Sequence, residues 1–156
     1  MNDAEQLRER LLSDLDDARQ DLCTAIEGLD PEQEIYEGWT LKHLLAHLAG
    51  WDDAVLAALR AHLGAEEAGT PAAEGINAYN AQSVSTRQYL SYEQVRRECD
   101  LARDQVKEAL RELPPAKLEA PLLFPWGPTG TVAQLIAVFV HHEHEHAAEI
   151  RQGAIS

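Results

Sequence analysis

The sequence predicts an all-α fold, a four-helix bundle, from three observations. Four stretches repeat apolar residues at steps of three and four, the period of one helix face. Three of these stretches open on a Thr or Ser placed as an N-cap: Thr40, Ser91 and Thr131. Alternation of the strand type is strong nowhere. Four amphipathic helices must bury their apolar faces against one another, and a bundle is the layer architecture that does so.

The chain of 156 residues is long enough for one domain with a core that needs no staples, so a single domain over residues 1–156 is expected. Asp and Glu number 27 against 13 Lys and Arg, a formal net charge of −14. That balance excludes a nucleic-acid partner, which needs a basic stripe. There is no apolar run of eighteen residues and no apolar signal segment in MNDAEQLRER, so no membrane span and a cytoplasmic setting are expected. Cys23 and Cys99 form no CxxC pattern and read as two small core residues of a reducing compartment.

In the first helix Leu7, Leu11, Leu15, Ala18, Leu22 and Ile26 form the buried stripe, closed near Gly28. Asp14, Asp16, Asp17, Arg19 and Gln20 are assigned to its solvated outer face. Asp30-Pro31 marks a turn, and residues 32–39 read as a connection. The second helix runs from the Thr40 cap to about Leu63 on a broad face of leucines, with Gly50 inside it where a ligand or another helix can come close. Residues 64–75, rich in Gly, Ala and Glu, read as a mobile surface loop, and residues 76–90 as an irregular or helical lead-in. The third helix is capped by Ser91 with Gln94 and buries Val95, Cys99, Ala102, Val106, Ala109, Leu110 and Leu113. Arg96, Arg97, Glu98, Arg103, Asp104, Lys107 and Glu108 are placed outside, and Pro114-Pro115 stops it. Residues 117–130 are a long Pro/Gly-rich connection whose Leu122, Leu123, Phe124 and Trp126 pack it down on the bundle.

The fourth helix carries the chemistry. Thr131 and Gln134 form a capping box, and Leu135, Phe139, His142, His146 and Ile150 make one stripe. Four of the seven histidines lie in the run HHEHEH, residues 141–146. His142 and His146 share the core-facing stripe one turn apart, a spacing that lets one helix grip a metal ion twice. His141 and His144 are rotated away. A site with an open position commonly has three protein ligands, so the third must come from another helix. On the second helix His47 lies among Leu44, Leu48 and Trp51, while His43 stands one turn earlier, where it could form an i, i+4 pair with His47, and His62 lies near the exposed helix end. His47 and His142 sit about 10 Å and about 16 Å along their helices at 1.5 Å per residue, so one level of the bundle can hold His47, His142 and His146. The spacing permits this triad without fixing it.

The segments GWTLKHLLAHLAGWDD and HHEHEHAAEI resemble those of the DinB/YfiT-like superfamily, which includes ClbS/DfsB-type proteins and mycothiol-dependent maleylpyruvate isomerases. Trp39-Thr40 opens the helix, His47-Leu48 stands at the first ligand position, and His142 and His146 at the second and third. Ala148-Glu149-Ile150 replaces the Gly-Gln-Ile often found there. The resemblance implies an up-down-down-up bundle, often a homodimer, holding a divalent metal ion, zinc or nickel most often, on His47, His142 and His146. It also implies a metal-dependent transferase, isomerase or hydrolase acting on a small-molecule electrophile, in some relatives with a low-molecular-weight thiol as cosubstrate. Glu143 and Glu149 are candidates to orient the imidazoles from behind. No catalytic residue beyond the metal ligands is named by the sequence, and Arg60, Arg87 and Arg96 are the candidates to hold a thiol cofactor's carboxylate.

HEHEH also spells the H-E-x-x-H of zinc proteases, with Glu143 as general base. Against it stand the ten residues after His146, which carry no further His, and the absence of a sheet to hold a peptide. A di-iron bundle needs paired Glu-x-x-His motifs, and Glu143-x-x-His146 is a single match. The alternative of another class is a non-catalytic bundle that binds a ligand or partner, with the histidines structural.

Overall fold

The computed structural model describes residues 2–64 and 67–153. Six helices and two small hairpins follow in the order α1 (Asp3–Ile26), β1 (Glu34–Tyr36), β2 (Trp39–Thr40), α2 (Leu41–Leu63), α3 (Ile76–Ser85), α4 (Tyr92–Glu112), α5 (Pro115–Glu119), β3 (Leu122–Leu123), β4 (Thr129–Gly130) and α6 (Val132–Arg151). The four long helices are those expected. Their starts are fixed by side chains that take up orphan backbone donors. Asn2 Oδ1 accepts the Glu5 N–H at 2.8 Å, and Ser91/Gln94 and Thr131/Gln134 close reciprocal capping boxes. At α2 the box is completed by a histidine, His43 Nδ1, which accepts the Thr40 N–H at 3.0 Å. His43 is therefore spent on the cap and forms no ligand pair with His47.

Two core clusters give the helix directions. One gathers Leu22 and Ile26 from the end of α1, Leu41 to Ala49 from the start of α2, and Val95 and Cys99 from the start of α4, with Ile150 from the end of α6 packed against it. The other gathers Leu11 and Leu15, Val55 to Leu59, Val106 to Leu113, and Val132 to Phe139. So α1 and α6 run one way, α2 and α4 the other, an up-down-down-up bundle in which α1 packs on α6 and α2 on α4.

Three connections are more regular than the sequence alone specified. The connection over residues 32–39 is a hairpin pairing β1 with β2, short enough to carry no readable alternation. Residues 76–85 are a regular helix, α3, laid on α2 at Gly50, where an added Cβ would meet Ser83 Oγ at 2.1 Å. The long connection after α4 folds into α5 and the β3–β4 hairpin, with Leu122 and Phe124 buried and Trp126 half-buried on the bundle, as its apolar content required. Cys99 is buried, but Cys23 is half-buried. Of the loop expected over residues 64–75, positions 65–66 lie outside the described residues, as do 154–156. No described helix is long and apolar enough to cross a membrane.

Between the two core clusters each long helix contributes one buried or nearly buried charge: Arg19, Asp52, Arg103 and Glu143. Arg19 reaches Glu143 Oε1 with Nε at 2.5 Å and Asp52 Oδ2 with Nη2 at 3.1 Å. Arg103 donates to Asp52 Oδ1 from Nε and Nη2, both at 3.2 Å, and to the Leu15 carbonyl at 3.2 Å. Its Nη2 also lies 2.9 Å from Glu143 Oε2, an ion pair without hydrogen-bond alignment. The assignment of Arg19 and Arg103 to solvated faces is thus corrected. Two cations and two carboxylates cancel, which is what allows charges at this depth.

Candidate metal centre

His47 on α2 and His142 and His146 on α6 converge. His47 Nε2 and His142 Nε2 are 3.3 Å apart, and His142 Nε2 and His146 Nε2 are 2.9 Å apart. One ligand atom from each lies within 4.8 Å of the other two. His47 is buried at 4% exposure and the α6 pair is half-buried. The register follows from the helices: α2 enters with its leucine face down, placing His47 two turns in, and the α6 stripe brings both histidines round to the same level.

Burial pushes His47 down to about 3, with the His142 and His146 rings adding to the shift and Asn80 opposing it. Burial pushes His146 down to about 4 and also lowers His142. All three are therefore neutral at neutral pH, the state in which imidazole binds a metal.

The tautomer of His146 is set from behind. Tyr36, on β1, donates its hydroxyl to Glu149 Oε1 at 2.8 Å, and its oxygen lies 2.7 Å from His146 Nδ1. With the tyrosine O–H directed at the carboxylate, His146 Nδ1 carries the proton it donates to the Tyr36 oxygen, and the lone pair is left on Nε2, the atom next to His142. Tyr36 is a residue the sequence reading missed. Glu149 lies 3.7 Å from His146 Nδ1 and acts on it through that hydroxyl. Glu143 makes no hydrogen bond to the imidazoles and acts on His142 and His146 only through its charge. One residue past His142, it is turned about 100° to the bundle interior, where both its oxygens sit on Arg19 and Arg103. Held on both arginines, its carboxylate is not free to serve as the general base that the H-E-x-x-H protease reading requires.

The donor set fits a metal ion. His142 Nε2 lies close to the Nε2 atoms of both other rings, and one proton can join at most one such pair. A tetrahedral zinc at about 2.0–2.1 Å from each nitrogen sets N···N separations of about 3.3–3.4 Å, the spacing of His47 and His142 and a small rotation from that of His142 and His146. His47 Nδ1 is buried without a hydrogen-bond partner, and Asn80 is the polar neighbour that acts on the ring.

The remaining histidines are not part of the cluster, though His141 lines the cavity beside it. His141 is exposed and pairs with Glu145 at 2.8 Å; His144 pairs with Asp21 at 2.6 Å; His62 contacts the Lys117 carbonyl at 2.7 Å. A half-open cavity of about 310 Å³ adjoins the cluster, with His47 and His142 in its wall beside Trp51, Trp126, Phe139 and Asn80. Arg60, Arg87 and Arg96 are not in that wall. Arg87 is held by Asp53 and Glu98, and Arg96 by the Tyr92 hydroxyl.

The model of the DinB superfamily matches residues 5–150, and the chain belongs to that superfamily. Among solved structures the chain is similar to a crystal structure of the mycothiol-dependent maleylpyruvate isomerase, in a mutant with a histidine replaced by alanine. The TM-score is 0.74 at 17% identity, over 96% of this chain and 63% of that one. The chain thus spans less than two thirds of that protein, and the likeness is one of fold. No curated protein matches the chain in sequence.

Proposed function

We propose that this member of the DinB superfamily holds a divalent metal ion, zinc or nickel, on His47, His142 and His146, and is a metal-dependent transferase or hydrolase of a small electrophile. The observation that carries the reading is the meeting of three neutral imidazole nitrogens from two helices at the wall of a cavity. Bound there, the ion would supply Lewis-acid chemistry, lowering the pKa of a water or a low-molecular-weight thiol at its open position.

The chain's own residues do the rest. His47, His142 and His146 are uncharged donors, so the +2 charge is left whole. Tyr36 and Glu149 hold the ring of His146 and keep its proton on Nδ1. Trp51, Trp126 and Phe139 line the cavity and exclude water from one side of a reactant. The fold-level likeness to a thiol-dependent isomerase supports a thiol cosubstrate as one form of this chemistry.

The test has two parts. Elemental analysis of the purified chain is expected to give close to one metal per chain in the wild type and a large loss in His47→Ala. A conjugation screen of electrophiles with glutathione, mycothiol and bacillithiol, beside a thiol-free hydrolysis screen, then separates transferase from hydrolase. A wild-type chain that takes up no zinc or nickel ends the proposal.

A further inference from the structure

The cavity beside the histidines has a composition that selects its occupant. Its wall is aromatic and aliphatic: Trp51, Trp126, Phe139, Ile76 and Val138. It contains no Lys or Arg, and its carboxylate, Glu145, stands with His141. The whole chain carries −14, so the field opposes anions arriving from solvent as well. One uncharged polar side chain, Asn80 of α3, enters this wall between the rings and the histidines.

The orientation of Asn80 is fixed by its neighbour. The Trp51 indole N–H, which can only donate, gives its proton to Asn80 Oδ1 at 2.6 Å. The amide NH2 is then the end left over, and the Asn80 side chain stands beside the His47 imidazole, on which it also acts. α3 is itself held against α2 by the Tyr79 hydroxyl on the Gly50 carbonyl at 2.5 Å and by the seat of Ser83 over Gly50. Asn80 is thus a half-buried amide on a braced helix, set in the cavity wall between the aromatic rings and the histidines.

We infer that the site takes an uncharged, flat, apolar-bodied molecule bearing a carbonyl oxygen, which Asn80 holds by its amide NH2 while Trp51, Trp126 and Phe139 pack its body. This deepens the proposed function and rests on it for the chemistry, but binding of the body and the carbonyl does not need the metal. Substrates whose recognition depends on pairing a carboxylate with a basic side chain are excluded from this wall. Asn80 is accordingly a specificity-determining residue, because a ligand that covers its amide without offering an acceptor strips it of water and leaves the donor unpaired.

N-phenylsuccinimide is an unreactive probe with this chemistry. N-phenylpyrrolidine lacks its carbonyls, and 4-succinimidobenzoate adds a carboxylate to the ring. Dissociation constants of all three are measured by tryptophan fluorescence and calorimetry, on metal-free and on zinc-loaded chain. The expected order, in metal-free chain, is N-phenylsuccinimide tighter than each of the others by roughly tenfold. Asn80→Asp keeps the acceptor for Trp51 but loses the amide donors, and is expected to erase the preference for the carbonyl. Asn80→Ala also removes the Trp51 partner, so its folding is checked by circular dichroism alongside. N-phenylsuccinimide failing to bind, binding no better than either analogue, or keeping its preference in a folded Asn80→Asp overturns the inference. Failure of zinc to bind leaves these metal-free readings intact and counts against the proposed function alone.

Discussion

Replacing Tyr36 by Phe tests how the metal site is held. The hydroxyl makes two short contacts, 2.7 Å to His146 Nδ1 and 2.8 Å to Glu149 Oε1. The ring meets His146 edge-on, with centroids 5.5 Å apart at 73°, and Phe keeps that contact. What is lost is the acceptor for the Nδ1 proton. The remaining candidate, Glu149, is 3.7 Å away and half-exposed, free to swing in and recover part of the bond. Loss of such an outer partner typically costs 10–100-fold in metal affinity, roughly 1.4–2.7 kcal/mol. Recovery by Glu149 puts Tyr36→Phe near tenfold, and the double variant Tyr36→Phe/Glu149→Gln nearer a hundredfold. Competition for zinc against a chromogenic chelator reads both, with thermal unfolding of the metal-free chain as the control, expected to shift by less than about 1 kcal/mol. A zinc affinity unchanged within threefold in the double variant refutes the reasoning, since His146 would then bind metal without that support or not at all.

Other outcomes follow from the same structure. Glu143→Ala leaves Arg19 and Arg103 facing one another with one carboxylate between them, and is expected to lower the unfolding free energy by about 3–5 kcal/mol in a urea titration. Gly50→Ala puts a methyl into Ser83, so α3 must lift from α2. A loss of about 1–3 kcal/mol is expected, with a changed Trp51 fluorescence because Asn80 moves with the helix. In metal-free chain the folded His47 and His146 titrate near 3 and 4, below the ordinary 6.5, so between these limits the unfolded chain binds more protons. Stability therefore holds above about pH 6.5 and falls as pH drops toward 4, by up to about 1.4 kcal/mol per pH unit for each histidine. A stability profile flat from pH 7 to pH 4.5 contradicts the buried neutral cluster.

The sequence made the long helices and the three histidines legible because both are periodic. Caps at Ser91 and Thr131 and stripes at steps of three and four need no knowledge of the partner helix. The buried charges were hidden by their polarity, though the period marks them. Arg19 falls between Leu15 and Leu22, Arg103 between Cys99 and Val106, Asp52 between Leu48 and Val55, and Glu143 between Ile136 and Ala147, each on its helix's buried stripe. A charge interrupting such a stripe signals a partner on a facing helix. Two of each sign across four stripes was a readable pattern. Tyr36 and α3 gave no comparable signal. The first sits in a three-residue strand, and the ten-residue α3 has the polar Ser83, seated over Gly50, as its buried side chain.

The central claim is that one ion is shared by imidazoles of α2 and α6. X-ray absorption at the zinc edge of the zinc-loaded chain measures it most directly. Three nitrogen ligands at about 2.0–2.1 Å with imidazole scattering, completed by one oxygen, are expected, and one imidazole fewer in His47→Ala. Sulfur in the coordination shell, or a wild-type spectrum unchanged by His47→Ala, contradicts the account.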